Sequence, residues 1–356
     1  MKRTLALLLS LVMAVGLLAG CGNSSNGSAG QETPSGGGGE TTGGGDGNYI
    51  ITLAHATAEN GTAQIFALAF KDYVEENSGG QITVNIFPNG QLGADREVLE
   101  AVQNNEVTMT VTANAVQANF VTDAFILDIP FTFSTVEAMR YTLNDPTYLD
   151  VIKQSYADSG FLLMGVTDQE FRVLSCNKPV YSPEDLKGMT IRTMENEYHM
   201  EAWRLLGANP TPLAFTELYT ALQQGTVDAE ENPVELIYTQ RFYEQQEYIV
   251  MTNHLGQMAP WVMNLEFYNS LPDDLKTVVD EGYKVGEEAL YQFMEENDRL
   301  QEMVDYGIEV IELSPEQLEP FAEATASVGD MIREVVSPEV YEAFMTSIEN
   351  YNASNG

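Results

Sequence analysis

Apolar and polar residues recur with two different periods in the part of the chain that follows residue 48. The runs YIITLA (49–54) and QITVNIF (81–87) are rich in β-branched residues, as strands are. Segments 61–80 and 95–106 instead repeat apolar side chains at helical spacing, and VTMTVTA (107–113) follows as a further strand. The order β-α-β-α-β predicts a parallel sheet with helices on its faces.

The α/β rhythm restarts after about residue 168. The remaining predicted strands are 161–167, 171–177 and 189–193, and the predicted helices are 182–188, 197–207 and 215–225. A long helical segment follows from Pro272 to about Asp305, interrupted only by Gly282 and Gly286. At about 1.5 Å per residue, this helix is long enough to run along two lobes. The pattern and the length of the chain together predict an α/β fold of two lobes rather than one.

The N-terminus has the pattern of a segment for export. Lys2 and Arg3 precede an apolar run that ends in LAGC, and Cys21 closes this sequence. LAGC resembles the lipobox of bacterial lipoproteins, which implies a signal peptide over residues 1–20 and a lipid anchor on Cys21. The alternative is an ordinary signal peptide with a chance cysteine. Residues 21–47 carry almost no apolar side chain after the cysteine, so we expect a flexible Gly/Ser-rich tether.

Charge and cysteine content narrow the possible partners. The chain has 53 acidic and 16 basic residues, a formal charge of −37, which argues against nucleic acid and anionic membrane surfaces as partners. With Cys21 taken by the anchor, Cys176 has no partner for a disulfide, so the folded part must rely on its core. We expect Cys176 to be a packed thiol rather than a nucleophile.

The sequence contains no recognisable enzyme signature. GxSxG, HExxH, Walker and GxGxxG motifs are all missing, and the three histidines (His55, His199 and His254) are scattered along the chain. The acidic run DAEENP (228–233) lacks the spacing and the glycine of an EF-hand loop. We therefore expect a protein that is not an enzyme, without a metal site, a catalytic residue or a cofactor.

Several motifs, in order and over essentially the whole folded part, point to one family. They are FPNGQLGADREVLEAV, SPEDLKGMTIR, LGANPTPLAFTELYTALQQGTVDAEENP and FYEQQEYIVMTNH. The chain resembles the DctP-type solute-binding proteins of TRAP (tripartite ATP-independent periplasmic) transporters. The resemblance implies a two-lobed periplasmic-binding-protein-like fold with a hinge and a long helix running along both lobes. We expect the first lobe to comprise residues 48–169 plus about 258–297, and the second 170–257 plus about 298–350.

Arg192, at the end of MTIRT, is the central candidate for binding. The resemblance implies that it makes a two-pronged bond to a ligand carboxylate, and a guanidinium presents the parallel N–H donors that match this group. An isolated arginine beside a strand would more often pair with an Asp or Glu of the same chain. Arg172, one strand earlier, is the expected supporting contact.

The resemblance also assigns further contacts in both lobes. Phe215 would pack on the ligand, Asn232 would bond it, and Glu231 is a weaker candidate. First-lobe contacts are expected from the loop that starts at His55 and from the region of Ala113 and Asn114. Family members that bind sialic acid carry a glutamate at the position aligned with Ala113, so this ligand is less expected here. Trp261 is a candidate for packing between the lobes or for stacking on the ligand.

The expected function is the extracytoplasmic solute-binding component of a TRAP transporter. It would be a monomer, lipid-anchored to the bacterial cell membrane, that binds a small organic acid and delivers it to the membrane permease subunits. A sugar acid such as a uronate or aldonate is favoured because the first-lobe loops offer polar residues for hydroxyl groups, and a C4-dicarboxylate is next. The alternatives are a receptor that presents ligand to a sensor kinase and, with less support, an extracellular hydrolase of acidic sugars.

Overall fold

The computed structural model describes residues 48–297 and 299–355. The predicted signal peptide, Cys21 and the tether up to residue 47 lie outside these described residues. Within the described part, no helix combines the length and the apolar character needed to cross a membrane.

The described residues form strands and helices in the following order along the chain. The strands are β1 Tyr49–Ala54, β2 Ile82–Phe87, β3 Met109–Val111, β4 Phe161–Cys176, β5 Thr190–Thr193, β6 Asn209–Pro212, β7 Ala229–Pro233, β8 Tyr248–Asn264 and β9 Glu309–Glu312. The α-helices are α1 Thr62–Asn77, α2 Asp95–Gln103, α3 Asn114–Gln117, α4 Val136–Asn144, α5 Pro146–Asp158, α6 Glu197–Leu205, α7 Leu218–Gln223, α8 Val234–Thr239, α9 Leu265–Ser270, α10 Asp273–Glu295, α11 Arg299–Tyr306, α12 Pro315–Val335 and α13 Pro338–Asn355. Short 3₁₀ helices cover Thr122–Asp128, Pro183–Leu186, Phe215–Glu217 and Phe242–Gln245.

The sheet consists of two parallel groups joined by two long antiparallel strands. Its order is β2-β1-β3-β8-β4-β7-β5-β6, and β9 also pairs with β8. Strand β1 runs parallel to β2 and β3, and β5 runs parallel to β6 and β7. Strands β4 and β8 pair along most of their length, so they belong to both groups. This arrangement confirms the predicted α/β fold with two lobes.

Strand β4 bends where it passes from one group to the other. The sequence predicts two strands here, but the structure has one strand whose register shifts between Asp168 and Phe171. Glu170 lies in the left-handed region with φ 63°. The buried Asp168 carboxylate accepts the backbone N–H of Glu170, two bonds from Arg140 and one from Tyr291, so it holds the bend in place.

The helical segment predicted from Pro272 to about Asp305 is divided into two helices. α10 ends at Glu295 and packs on α1, whereas α11 begins at Arg299 and packs on α8. The side chain of Asn297 donates to the carbonyl of Phe293 at 2.6 Å, and its own carbonyl accepts the N–H of Arg299. These local bonds compete with the helical pattern and explain the break.

The last helix returns to the first group of strands. Val340 and Phe344 of α13 lie in the core that also contains Tyr148 of α5 and Phe161 at the start of β4. The lobe boundaries remain a prediction, and this packing favours assigning α13 to the first lobe rather than to the second.

Candidate functional site

A partly open cavity lies between the two groups of strands, with residues from both in its wall. It offers about 50 Å³ to the centres of water-sized molecules, which is room for a small organic molecule. The wall consists of Ala56, Thr57, Thr62, Ala63, Asp95, Val111, Thr112, Ala113, Thr167, Gln169, Arg172, Arg192, Met194, Phe215, Asn232, Leu236, Gln257, Ala259, Trp261 and Leu290.

Arg192 is buried in the cavity wall, and no carboxylate of the described residues forms an ion pair with it. It is 1% exposed, and both Nε and Nη2 donate to the carbonyl of Leu213, at 3.0 and 2.8 Å. Its Nη1 has no hydrogen-bond partner among the residues that the structure describes. Burial lowers the pKa of Arg192 to about 10, although Glu231 opposes this effect, so the guanidinium stays charged at neutral pH. A buried cation with free donors needs an anionic partner, because leaving it unpaired is costly.

Phe215 adds a second feature to the environment of Arg192. Its ring centre lies 5.9 Å from the guanidinium carbon, within cation–π range. The rings of Phe215 and Phe242 form a T-shaped pair. The carbonyl of Leu213 and the ring of Phe215 therefore fix the direction of Arg192 in the wall.

Arg172 differs from Arg192 because its guanidinium is occupied within the protein. It forms a two-pronged ion pair with Glu231, with Nε–Oε2 at 2.5 Å and Nη2–Oε1 at 2.9 Å, and it also donates to Gln257 and Asn232. Glu231 accepts a further bond from His254 at 3.1 Å. Burial opposes ionisation of Glu231, but Arg172 and His254 outweigh it and hold the pKa of that carboxyl well below its usual range.

Strand β7 carries three polar side chains through the protein interior. Asn232 lines the cavity, accepts from Arg172 at 3.2 Å and donates to Glu230 at 2.6 Å. Burial raises the pKa of Glu230 to about 7. The sequence predicted no strand at DAEENP, because the partners that satisfy these side chains in a buried strand come largely from distant segments.

The structure places the other sequence-predicted residues as follows. Both ring nitrogens of His55 are bonded, to Gln64 and Thr57, so His55 lies behind the wall that its neighbours Ala56 and Thr57 form. Asn114 donates to the Ala124 carbonyl and to Asp128, and it too lies outside the cavity wall.

Trp261 lines the cavity from the first-lobe side. Its ring stacks on Phe66 at 3.6 Å, and its indole N–H donates to Thr167. The cavity thus brings together Arg192, Arg172, Asn232, Phe215 and Trp261, whereas Glu231, His55 and Asn114 lie behind its wall. Their roles as ligand contacts remain predictions.

Sequence reasoning missed several polar residues of the wall, among them Thr62, Thr167 and Gln169. Gln169 stands in the polar run DQE between two predicted strands, Gln257 is a single polar residue in LGQMAP, and Thr167 ends a predicted strand, so none of them carries a signal of its own. Asp95 lies in the motif QLGADREVLEAV, where a residue-by-residue reading could have found it. Burial raises the pKa of Asp95 to about 6, although Arg192 opposes this effect.

A two-lobed α/β body with a small cavity between its lobes, lined by apolar side chains and a few polar ones, has the architecture of a solute-binding protein. The family model "Bacterial extracellular solute-binding protein, family 7" (DctP) matches residues 53–334, and the chain belongs to this family.

Relatives and solved structures agree with this assignment. The chain is 37% identical over 218 residues to a solute-binding protein of Verminephrobacter eiseniae, an alignment that covers 61% of this chain and 65% of that protein. It is 30% identical to the C4-dicarboxylate-binding periplasmic protein DctP of Rhodobacter capsulatus, over 83% of this chain and 89% of that one. A TRAP periplasmic solute-binding protein from Anaerococcus prevotii, solved with bound α/β D-glucuronate, superposes with a TM-score of 0.80 at 27% identity, covering 85% of this chain and 99% of that one.

Proposed function

We propose that this protein is the extracytoplasmic binding component of a TRAP transporter, and that it captures a small sugar acid such as a uronate or aldonate for a membrane permease. The observation that carries the proposal is Arg192, a buried guanidinium in the cavity wall whose Nη1 has no partner among the described residues. A ligand carboxylate would supply the missing anion, and the geometry of the guanidinium suits a bidentate bond.

The charges around the cavity favour one carboxylate over two. Arg172 is neutralised by Glu231, which leaves Arg192 as the arginine of the wall without an ion pair among the described residues. Asp95 in the same wall would oppose a second anionic group. The remaining polar wall is suited to ligand hydroxyl groups, and it consists of Thr57, Thr62, Thr112, Thr167, Gln169, Asn232 and Gln257.

The relatives include proteins for both candidate ligand classes, sugar acids and C4-dicarboxylates. The Anaerococcus prevotii structure contains a uronate, which fits one carboxylate with several hydroxyls. The Rhodobacter capsulatus relative is named for C4-dicarboxylates, which makes such an acid the second candidate. The function of these relatives is binding rather than turnover, and we propose the same for this chain.

We further propose that Cys21 is lipidated and attaches the protein to the cell membrane. The motif LAGC and the polar segment after it support this proposal. In cells, Cys21→Ser should abolish lipid labelling and partitioning into detergent. Unchanged partitioning of that variant would place the anchor elsewhere.

A thermal-shift screen of the tether-free protein tests the ligand class. We expect D-glucuronate, D-galactonate or D-erythronate to raise the melting temperature more than succinate does, because the wall formed by the described residues offers one free guanidinium and several polar groups for hydroxyls. A ligand at about 100 times its Kd adds about 2.7 kcal/mol of stability, so binding is measurable as a shift. D-glucose is the matched control, since it keeps hydroxyl groups but lacks the carboxylate. A shift with D-glucose equal to that with D-glucuronate, or no shift with any acid, would contradict the proposal.

A further inference from the structure

Glu235, in the first turn of α8, makes two contacts that cross from one part of the fold to another. Its Oε1 accepts the backbone N–H of Thr62 at 3.1 Å, and its Oε2 accepts from the side chain of Gln169 at 3.2 Å. Gln169 in turn donates to the hydroxyl of Thr62. Glu235 is 8% exposed, so these contacts are shielded from solvent.

The contact with Thr62 completes a helix that lacks a cap of its own. The residue before α1 is Gly61, which has no side chain to accept the free N–H groups of the first turn. A carboxylate near these groups is favourable because they carry the positive end of the helix dipole. Glu235 supplies this cap from α8, which belongs to the other lobe in the predicted division of the chain.

The two residues that Glu235 holds both lie in the cavity wall, although Glu235 itself does not. Thr62 comes from the first-lobe side and Gln169 from the bend of β4. Separation of the lobes would pull α8 away from α1 and break the contact with Thr62. The contact is therefore present only while the wall is assembled.

We propose that Glu235 is a positioning residue for ligand binding, which fastens α8 to the start of α1 and thereby holds Thr62 and Gln169 in the closed wall around the ligand. This inference rests on the proposed function, since it assumes that an acid binds in the cavity and that the lobes close over it.

The proton on Glu235 provides a specific signature of this role. Burial raises the pKa of Glu235 to about 7, although the N–H of Thr62 and the nearby Arg299 oppose this effect. In an open form the carboxyl would be hydrated and its pKa would return towards the ordinary range, near 4.3. The closed form then binds the proton more tightly, so the contribution of Glu235 to closure is fully present below the open-form pKa and is lost as pH rises through about 7.

Other charged groups surround Glu235, so a test must separate its titration from theirs. A second cavity behind it is also lined by Glu170 of β4, Glu295 of α10 and Arg299 of α11. Glu302 of α11 is bonded to Arg299, and Glu231 of β7 is bonded to Arg172. The first turn of α1 (Thr62 to Ile65) has no charged side chain. Asp95 and Glu230 also have raised pKa values, so the pH profile of the wild type alone would not isolate Glu235.

The experiment compares wild type and Glu235→Gln by calorimetric titration with D-glucuronate at about pH 5.5 and about pH 8. If D-galactonate, D-erythronate or succinate binds the wild type more tightly, that acid replaces D-glucuronate. Glutamine mimics the protonated carboxyl at every pH and keeps an acceptor for Thr62. Because pH 5.5 lies above the open-form pKa, we expect Glu235→Gln to bind more tightly than wild type already there, and we expect this advantage to grow by at least about tenfold at pH 8. Glu266→Gln, an exposed glutamate on α9, is the matched control and should follow the wild-type profile.

A second variant disturbs the contact between Glu235 and Thr62 at the start of α1. A Cβ added at Gly61 would lie 3.1 Å from Oε1 of Glu235, so Gly61→Ala should weaken binding severalfold at the lower pH, where the contact contributes to closure, while the protein stays folded. The inference is overturned if Glu235→Gln has the wild-type pH profile, or if it weakens binding by one constant factor at both pH values. If the wild type binds none of the four acids, the proposed function itself has failed, and the inference fails with it.

Discussion

At the scale of single residues, the site depends on a difference between two buried arginines. Arg172 and Arg192 are both 1% exposed, yet Arg172 is paired with Glu231 while Arg192 bonds a backbone carbonyl and keeps a free Nη1. The sequence predicted Arg192 as the central contact and Arg172 as a supporting one, but it did not predict that Arg172 is paired within the protein. The reason is physical: Glu231 lies 59 residues after Arg172, and only the pairing of β4 with β7 brings them together.

Glu231→Gln tests whether the ion pair with Arg172 is structural. The substitution removes the negative partner and leaves a buried guanidinium uncompensated, which should lower the free energy of unfolding by about 3–5 kcal/mol. Urea denaturation at neutral pH measures this loss. Glu244→Gln is the control, because Glu244 pairs with the exposed Arg241 and its loss should leave the midpoint near that of the wild type.

The same pair predicts how stability depends on pH. The pKa of Glu231 is held low in the folded protein, so its contribution is present above the ordinary pKa of a glutamate and is lost as pH falls below it. Wild type should therefore lose its advantage over Glu231→Gln in acid. A difference between the two proteins that stays under about 1 kcal/mol at neutral pH would show that the pair adds little to the fold.

At the scale of elements, the sequence predicted the regular parts and missed those that depend on distant partners. The opening β-α-β-α-β unit follows from local periodicity and is confirmed by β1 to β3 with α1 and α2. Strand β7 reads AEENP and lacks the apolar alternation of a strand. Its polar side chains can be buried there because they bond to Arg172 and to each other, as Asn232 does to Glu230, rather than to solvent. Strand β8 was not predicted at all, because glycine, proline and polar residues interrupt its apolar run.

The two glycines of α10 have a packing role that predicts the effect of substitution. A Cβ at Gly282 would lie 2.6 Å from Val74 of α1, and one at Gly286 would lie 2.9 Å from Phe66. Gly282→Ala should therefore lower the free energy of unfolding by about 1–3 kcal/mol in spite of the better helix propensity of alanine. In the control Gly329→Ala, the new Cβ meets only one methyl group of Ile129, at 3.3 Å. The midpoint of thermal unfolding of this control should therefore stay closer to that of the wild type. Equal effects of both substitutions would contradict close packing of α10 on α1.

At the scale of the whole molecule, β4 and β8 are the mechanical link between the lobes. They are shared by both groups of strands, and β4 bends at Asp168, next to the cavity residue Gln169. A hinge through these strands would let the lobes close on a ligand that contacts both sides, and the ligand would favour the closed form through its extra contacts there.

Solution scattering tests this closure. Adding saturating D-glucuronate, or whichever acid of the panel binds, should reduce the radius of gyration of the tether-free protein, because the lobes approach each other. D-glucose serves as the control compound and should leave the curve unchanged. An unchanged radius with a bound acid would mean that the cavity is already closed before binding.

If Arg192 anchors the carboxylate of the ligand, its variants should lose affinity in calorimetric titration with the best acid of the panel. Arg192→Ala should cost roughly 2–5 kcal/mol of binding free energy, which is about 30-fold to several-thousand-fold in Kd. Arg192→Lys should lose a substantial part of the affinity, because it keeps the charge but not the fork. Arg204→Ala is the control, an exposed arginine on α6 that pairs with Glu201, and it should bind as the wild type does.

Both Arg192 variants should remain folded without ligand, since the wild-type guanidinium has no internal carboxylate partner among the described residues that its removal would leave unpaired. Circular dichroism and thermal unfolding check this before titration. We expect a folded Arg192→Ala protein that has lost most of its affinity for the acid. A folded Arg192→Ala protein that binds within about threefold of wild type, under 1 kcal/mol, would contradict it.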